Sequence, residues 1–356
     1  MAKVTPRIRV DQITEIFLEP TRVTQDTFLL YNIERAGVFQ FQLEIPAGYT
    51  VRQVTGFTSS GAKAAVLDPD PYVLSGPNKR HMVVQLARKA LGKIGVRVQL
   101  QRELKDDNLT KVTGQASEIP APIVQVTRST VEQSKGRLIV HARESLRVTP
   151  KQQDGVQIIP FNEARKAMPQ LKQGRFPRSR ELFAFAFASE AVKRSLNVER
   201  RKPLITVAQL MVSDIQPGVI KHQFTFNYDI RFSGVKTVRL DVPKAIADQL
   251  RLETQGIEKT EITPQPADVD KDYVAWDLRG DSQLTDKRVI VFSYQQTVKE
   301  LDVGKSQTVD LPVLKPQKAD RAWGQVVLKK TETLDVRAAK KPDGLRPIDP
   351  RHDLMK

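Results

Sequence analysis

Apolar and polar residues alternate along much of this chain. Phe39, Phe41, Leu43 and Ile45 fall on one side of a period-two pattern, and Gln40, Gln42 and Glu44 fall on the other. That alternation predicts a β-strand with one face on a core and one face in water. Ile8, Val10 and Gln12 alternate in the same way, and Phe28 to Ile33 forms another predicted strand. Later strands are predicted at Val83 to Leu86, Val96 to Leu100, Val124 to Val126, and Leu138 to Val148 with a break. Phe183, Phe185 and Phe187 alternate with alanines, which predicts a strand with large rings on one face and small side chains on the other. Val238, Leu240 and Val242 alternate with Arg239 and Asp241. Pro46 and Pro243 are predicted strand ends, because proline has no amide hydrogen for the ladder. Only Glu163 to Leu171 and Ala245 to Leu252 read as short helices. Many short strands separated by turn residues predict an all-β protein of the antiparallel sandwich type.

The pattern occurs twice. A shift of 197 residues places Pro6, Ile8, Val10 and Gln12 on Pro203, Ile205, Val207 and Gln209. It places Pro20 on Pro217, Tyr31 and Ile33 on Tyr228 and Ile230, Gly37-Val38 on Gly234-Val235, Leu43 on Leu240 and Pro46 on Pro243. These eleven identities need no gap, and chance at ordinary residue frequencies gives about two or three. Gly37 and Gly234 are expected in a turn or bulge with positive φ. With gaps, Lys79-Arg80 is matched to Lys287-Arg288, Ile119-Pro120 to Leu311-Pro312, and Gly136-Arg137-Leu138-Ile139-Val140 to Gly324-Gln325-Val326-Val327-Leu328. Glu144-x-Leu146-x-Val148 is matched to Glu332-x-Leu334-x-Val336.

The expected architecture is two tandem antiparallel β-sandwich modules from an internal duplication, with one continuous supersandwich as the alternative. The expected divisions are a first repeat over 1–135, a strand-rich connector over 136–200, a second repeat over 201–325 and the start of an incomplete unit over 326–356. That last expectation rests on Asp343-Gly344-Leu345-x-x-Ile348, which resembles Asp154-Gly155-Val156-x-x-Ile159. In the first copy that stretch leads on to Glu181–Phe187, and the second copy has no such continuation, so the sequence reads as a fragment of a longer array.

Composition narrows the function classes. The chain has 356 residues, 40% of them hydrophobic, enough to build more than one packed core. It has no cysteine, so disulfides and thiolate metal sites are excluded. No apolar run reaches the roughly 18 residues that a membrane span needs, and the first residues lack the apolar core of a signal peptide. The expected location is the cell envelope or outside if the chain is part of a longer exported protein, and the cytoplasm if it is complete. Net charge is +16, which suits an anionic partner. The basic residues are spread, however, and their densest groups are Arg175, Arg178 and Arg180, then Arg200, Arg201 and Lys202. Acidic neighbours at Glu181 and Glu199 argue for solvated strand faces first, a polyanion-binding surface second, and against nucleic acid.

Motifs for chemistry are few. The histidines His81, His141, His222 and His352 are not at metal-ligand spacing, and none recurs at the matched position of the repeat. Asp268, Asp270 and Asp272 alternate in one acidic loop, and Asp68 and Asp70 stand in a second loop that resembles it. Alternating carboxylates suit Ca²⁺, but the glycine and distal glutamate of an EF-hand loop are missing, with Tyr273 and Arg279 in their places. The primary expectation is a solvated acidic turn, and no other cofactor is indicated. Gly56-x4-Gly61-Ala62-Lys63-Ala64 narrowly misses a phosphate-binding loop. Glu44 and Asp241 lie on polar strand faces and do not read as paired catalytic acids. Trp276 and Trp323 read as packing residues, with Leu74 or its neighbour and Lys135 in the matched positions.

The string Leu196-x-Val198-x-Arg200-Arg201-x-Pro203, with Tyr228-x-Ile230 and Gly234-Val235-x4-Leu240-x-Val242-Pro243, resembles large, repetitive, uncharacterised bacterial envelope proteins built of tandem β-sandwich modules. The resemblance implies a non-catalytic structural or adhesive role, with polysaccharide or other envelope proteins as partners. The alternatives are a carbohydrate- or polyanion-binding module and an accessory domain of a carbohydrate-active enzyme.

Overall fold

The computed structural model describes residues 4–57, 66–127, 131–166, 179–188, 193–300, 302–339, 344–349 and 351–354. Strands dominate, as the alternation predicts, and the class is all-β. The chain divides into two compact units, residues 1–201 and 202–356, each with its own sheet and its own core. Among the described residues no sheet is shared between them.

The first unit is organised around a hairpin, Arg7–Leu18 with Arg22–Glu44, to which the long strand His81–Glu103 adds. Arg22–Glu44 and His81–Glu103 each bend halfway. Ile33 and Val38 bracket a shift in register, and beyond it Leu43 pairs with Met82. Thr50–Phe57 borders the first half of the bent pair, and Leu67–Ser75 and Gln125–Val126 border the second. Val131–Arg143 closes the other side by pairing parallel with Arg7–Leu18, so the sheet is mixed rather than purely antiparallel.

The second unit repeats this order. Leu204–Gln216 and Val219–Pro243 form the hairpin, Tyr273–Thr297 is the long neighbour, and Arg321–Lys330 pairs parallel on the far side. Arg251–Leu252, Ile257–Glu261 and Lys315–Gln317 take the three flanking positions. Registers coincide as well. Gln12 lies opposite Gly136, and Gln209 lies opposite Gly324. The second bend falls between Ile230 and Val235, at the same shift of 197.

Three sequence expectations change. Gly37 and Gly234 do not carry the positive φ; Arg35 (68°) and Phe232 (70°) do. Gly37 is needed because a Cβ there would stand 2.7 Å from the Ala90 carbonyl oxygen as the bent strands close on each other. Lys287-Arg288 corresponds to Lys93-Ile94, not Lys79-Arg80, since Asn32 pairs with Lys93 and Asp229 with Lys287. By the same register His81 matches Ala275, and Trp276 matches Met82.

The segment 136–200 is not a connector, because its strands complete the first unit. Ser179–Phe187 pairs antiparallel on the outer edge of Val131–Arg143. Lys193–Arg200 pairs with Ala116–Pro120 and Leu146–Asp154 in a separate three-stranded sheet. Ile119, Leu146, Val148, Leu196 and Val198 from that small sheet join the core of the large one, a sandwich-like packing of two sheets. Residues 326–330 likewise belong to the second unit's sheet rather than to a further one. Short helices occur at Asp107–Thr110, Phe161–Lys166 and Lys244–Ala247, and none is long and apolar enough to cross a membrane.

Candidate functional site

The basic residues gather at the turn between Val131–Arg143 and Leu146–Asp154. Arg200, at the end of its strand, donates from Nη1 to Ser145 Oγ at 3.1 Å. The Arg201 backbone amide donates to the Ser145 carbonyl at 2.9 Å. Burial lowers the Arg200 pKa. Burial lowers that of Arg201 too, and the cations Arg180 and Arg147 push it further while Glu144 opposes them. Arg201 thus feels the charges of both Arg147 and Arg180, and an anion beside it would offset them. Lys202 begins the second unit. Arg175 and Arg178 lie outside the described residues, as does the small-residue loop from Gly61 to Ala64.

The acidic loops do not converge on a common point. Asp268 pairs with Arg239 Nη1 at 2.7 Å, and the hydrogen bond from Arg239 holds its pKa below the usual carboxylate range. Asp270 pairs with Lys315, whose ammonium also sits over the Tyr273 ring. The Asp272 carbonyl accepts from the Lys244 amide. Asp68 Oδ1 accepts from the Asp70 amide at 3.1 Å, a local turn bond. Asp68 and Asp70 lie on Leu67–Ser75, whereas Asp268 to Asp272 precede Tyr273–Thr297, so the two loops occupy different places in their units. No group of three metal-ligating side chains occurs among the described residues.

A shallow cleft of about 640 Å³ lies over the second half of the first bent sheet. Its floor is a row across three strands and onto a fourth: Ser75 opposite His81, His81 opposite Glu44, Glu44 opposite Gln125. Register partners share a face, so a hydroxyl, an imidazole and a carboxylate stand side by side. No sequence motif signals this row, because its members are far apart in the chain and only pairing unites them. The row is not wired as a triad. Glu44 turns to Arg80 at 2.6 Å, and no hydrogen bond joins His81 to Ser75 or Glu44. His81 instead lies against Gly76, where a Cβ would meet its Cδ2 at 2.2 Å.

Buried ionisable groups are held in structural pairs. Arg97 clamps Asp26 through two hydrogen bonds of 2.9 and 2.7 Å, and its own pKa rises through that bonding. Burial works to raise the Glu19 pKa, but hydrogen bonds from Arg22 and Arg143 outweigh it and hold the carboxyl below its ordinary value. Arg239 grips Asp241 with bonds of 2.8 and 3.0 Å. His222 bonds Ser213 at 2.9 Å and stacks on Tyr294, and burial lowers its pKa. Arg194 differs. It is 8% exposed, its three guanidinium nitrogens have no hydrogen-bond partner among the described residues, and burial lowers its pKa to about 10. Its guanidinium lies 5.3 Å from the centre of the Phe187 ring, a cation–π contact.

No protein-family profile matches the chain, and no curated protein matches it. Solved structures of an M1 zinc metallopeptidase from Deinococcus radiodurans align with the chain at very low similarity. A mutant of that enzyme bound to a Tyr-Ser-Ala substrate aligns over 57% of this chain and 44% of its own, at 12% identity and a TM-score of 0.29. The unmutated enzyme gives the same coverage and TM-score at 11% identity. A further structure of the mutant aligns over 64% and 47%, at 11% identity and a TM-score of 0.28. The chain thus spans less than half the length of those structures, and likeness at this level identifies neither fold family nor activity.

Proposed function

We propose that this chain is a pair of non-catalytic structural or adhesive β-modules, related by internal duplication, from a large bacterial cell-envelope protein. One observation carries the reading: the residues that match between the units occupy matching ladder positions. Gln12 and Gln209 face Gly136 and Gly324, and Tyr31 and Tyr228 are buried at equivalent points. What recurs is the framework, and repeated frameworks stack into arrays whose work is spacing and surface. The buried acids support the same reading, since Asp26, Glu19 and Asp241 are engaged by arginines. Fractionation of the cells that make the protein, with an antibody raised against this chain, tests it. Recovery with the envelope is expected, and recovery wholly in the soluble cytoplasm would overturn it.

A second reading, a polyanion-binding module, is favoured by the two cations, Arg147 and Arg180, whose charges act on Arg201. A heparin column run at graded salt tests it. Retention that is lost on replacing Arg175, Arg178 and Arg180 by Ala is expected under this reading, and no retention at low salt removes it.

A further inference from the structure

The cleft of the first unit lies on a sheet face that the second unit keeps closed. By their shared registers, Gln42, Glu44 and His81 match Arg239, Asp241 and Ala275. Arg239, Asp241 and Ala275 are buried. Their side of the sheet meets the loop before Tyr273–Thr297: Arg239 donates to Asp268, and the Ala275 amide donates to Gln265 Oε1 at 2.8 Å. Gln42 and His81 are exposed, and Glu44 is half-buried.

The cleft is lined by polar groups with little to bond. Ser75, His81, Glu44 and Gln125 form one row, about 14 Å long at the usual strand spacing of about 4.8 Å. Gln42 lies on the same face two residues along, about 7 Å away. Thr127 stands beside it, its amide donating to the Gln42 carbonyl at 3.0 Å. Val83, opposite Gln42, adds an aliphatic patch to this second row. Glu44 is paired with Arg80. The side chains of Gln42, Ser75, His81, Gln125 and Thr127 have no hydrogen-bond or ion-pair partner among the described residues.

That chemistry selects the ligand. Two carboxamides, two hydroxyls and an imidazole offer both donors and acceptors. Arg80 neutralises the one carboxylate, and no lysine or arginine lines the cleft among the described residues. A polyanion finds no counter-charge there, and a cation finds its carboxylate already engaged. Sugar hydroxyls, which donate and accept alike, match the set, and Val83 suits the C–H face of a ring. The volume of about 640 Å³ falls within the roughly 300–1,000 Å³ of small-ligand sites.

We propose that this cleft binds a neutral oligosaccharide of roughly two or three rings, lying across the strands from Ser75 to Gln125. Gln42, Gln125 and Thr127 bond its hydroxyls along one side, and Ser75 and His81 bond them at the other end. The proposal goes beyond the envelope reading and rests on the cleft alone, so failure of either leaves the other standing.

Cellotriose, maltotriose and tri-N-acetylchitotriose, each titrated calorimetrically into the full chain, are the test, with a heparin fragment for contrast. Saturable one-to-one binding of at least one neutral sugar is expected, unchanged between low and high salt. Gln42→Ala with Gln125→Ala should weaken it about tenfold, since each removes hydrogen bonds to the ligand. Both positions are exposed, so the variant keeps its fold. Trp323→Ala, which removes the exposed indole of the second unit, should leave binding unchanged. Binding of none of the three sugars, or binding indifferent to the double variant, would overturn the proposal. So would loss of binding on Trp323→Ala, or binding of the heparin fragment alone that salt abolishes.

Discussion

Val131–Arg143 and Arg321–Lys330 hold corresponding places in the sheets of their two units, in different settings. Both pair parallel with the first strand of a hairpin, in the same register. Leu138, Ile139 and Val140 are 0% exposed, whereas Val326 and Leu328 remain well exposed and stand outside their unit's core cluster. Position in the ladder therefore does not bury a side chain. Burial in the first unit comes from strands C-terminal to the repeat: Ser179–Phe187 along the edge, and the small sheet that brings Leu196 and Val198 into the core. The lesson is that the same ladder position is buried or exposed according to what packs beside it.

Removing part of that covering should have the largest effect. Phe185 is 2% exposed, and Phe185→Ala is expected to destabilise the first unit by about 3–5 kcal/mol, the usual range for a buried Phe. Urea denaturation checks it, and the amides of Val131–Arg143 should then exchange at rates closer to those of Arg321–Lys330. Matched truncations sharpen the contrast. Leu138→Ala should cost about 2–4 kcal/mol, while Val326→Ala should change stability by no more than about 0.5 kcal/mol. Equal costs would mean that the two settings do not differ. Arg194 belongs to the segment that completes the first unit and is buried without an anionic partner among the described residues. Arg194→Met is therefore expected to raise the first unit's stability by about 1–2 kcal/mol, less whatever the Phe187 contact contributes. A fall of that size would show that the cation is satisfied.

The smallest effect concerns pH. His222 stands where the first unit has Gln25, and burial depresses its pKa from 6.5. The unfolded chain then takes up the proton first as pH falls, so the second unit loses stability below about pH 6.5 until the folded-state pKa is passed. Thermal melts between pH 7 and 5 should show that loss, and His222→Gln should reduce it. An unchanged slope would assign the loss to other groups.

Strand positions are legible because period-two alternation survives, and the similarity of the two hairpins is legible because their paired positions keep one offset of 197. Beyond Pro46 the gapped matches drifted, since the offset becomes 194 in the long strands, and Lys287 falls on Lys93 rather than Lys79. Glycine preference pointed to Gly37 for positive φ, but Gly37 answers to close approach, and Arg35 absorbs the bend. Strand direction was not legible either, because alternation is the same for parallel and antiparallel pairs, so the parallel closure went unseen. The row Ser75, His81 and Glu44 exists only through register. Asp268 and Asp270 read as an acidic loop because nothing in the sequence places Arg239 and Lys315 beside them.

Amide hydrogen exchange, compared residue by residue between the two matched strands, tests the contrast between closed and open edges most directly. An edge strand bonds only every second amide, whereas an inner strand bonds them all. Slow exchange at successive amides is predicted through Leu138 to Val140, and slow exchange at alternate amides only through Val326 to Leu328. Continuous protection along Val326 to Leu328 would contradict it.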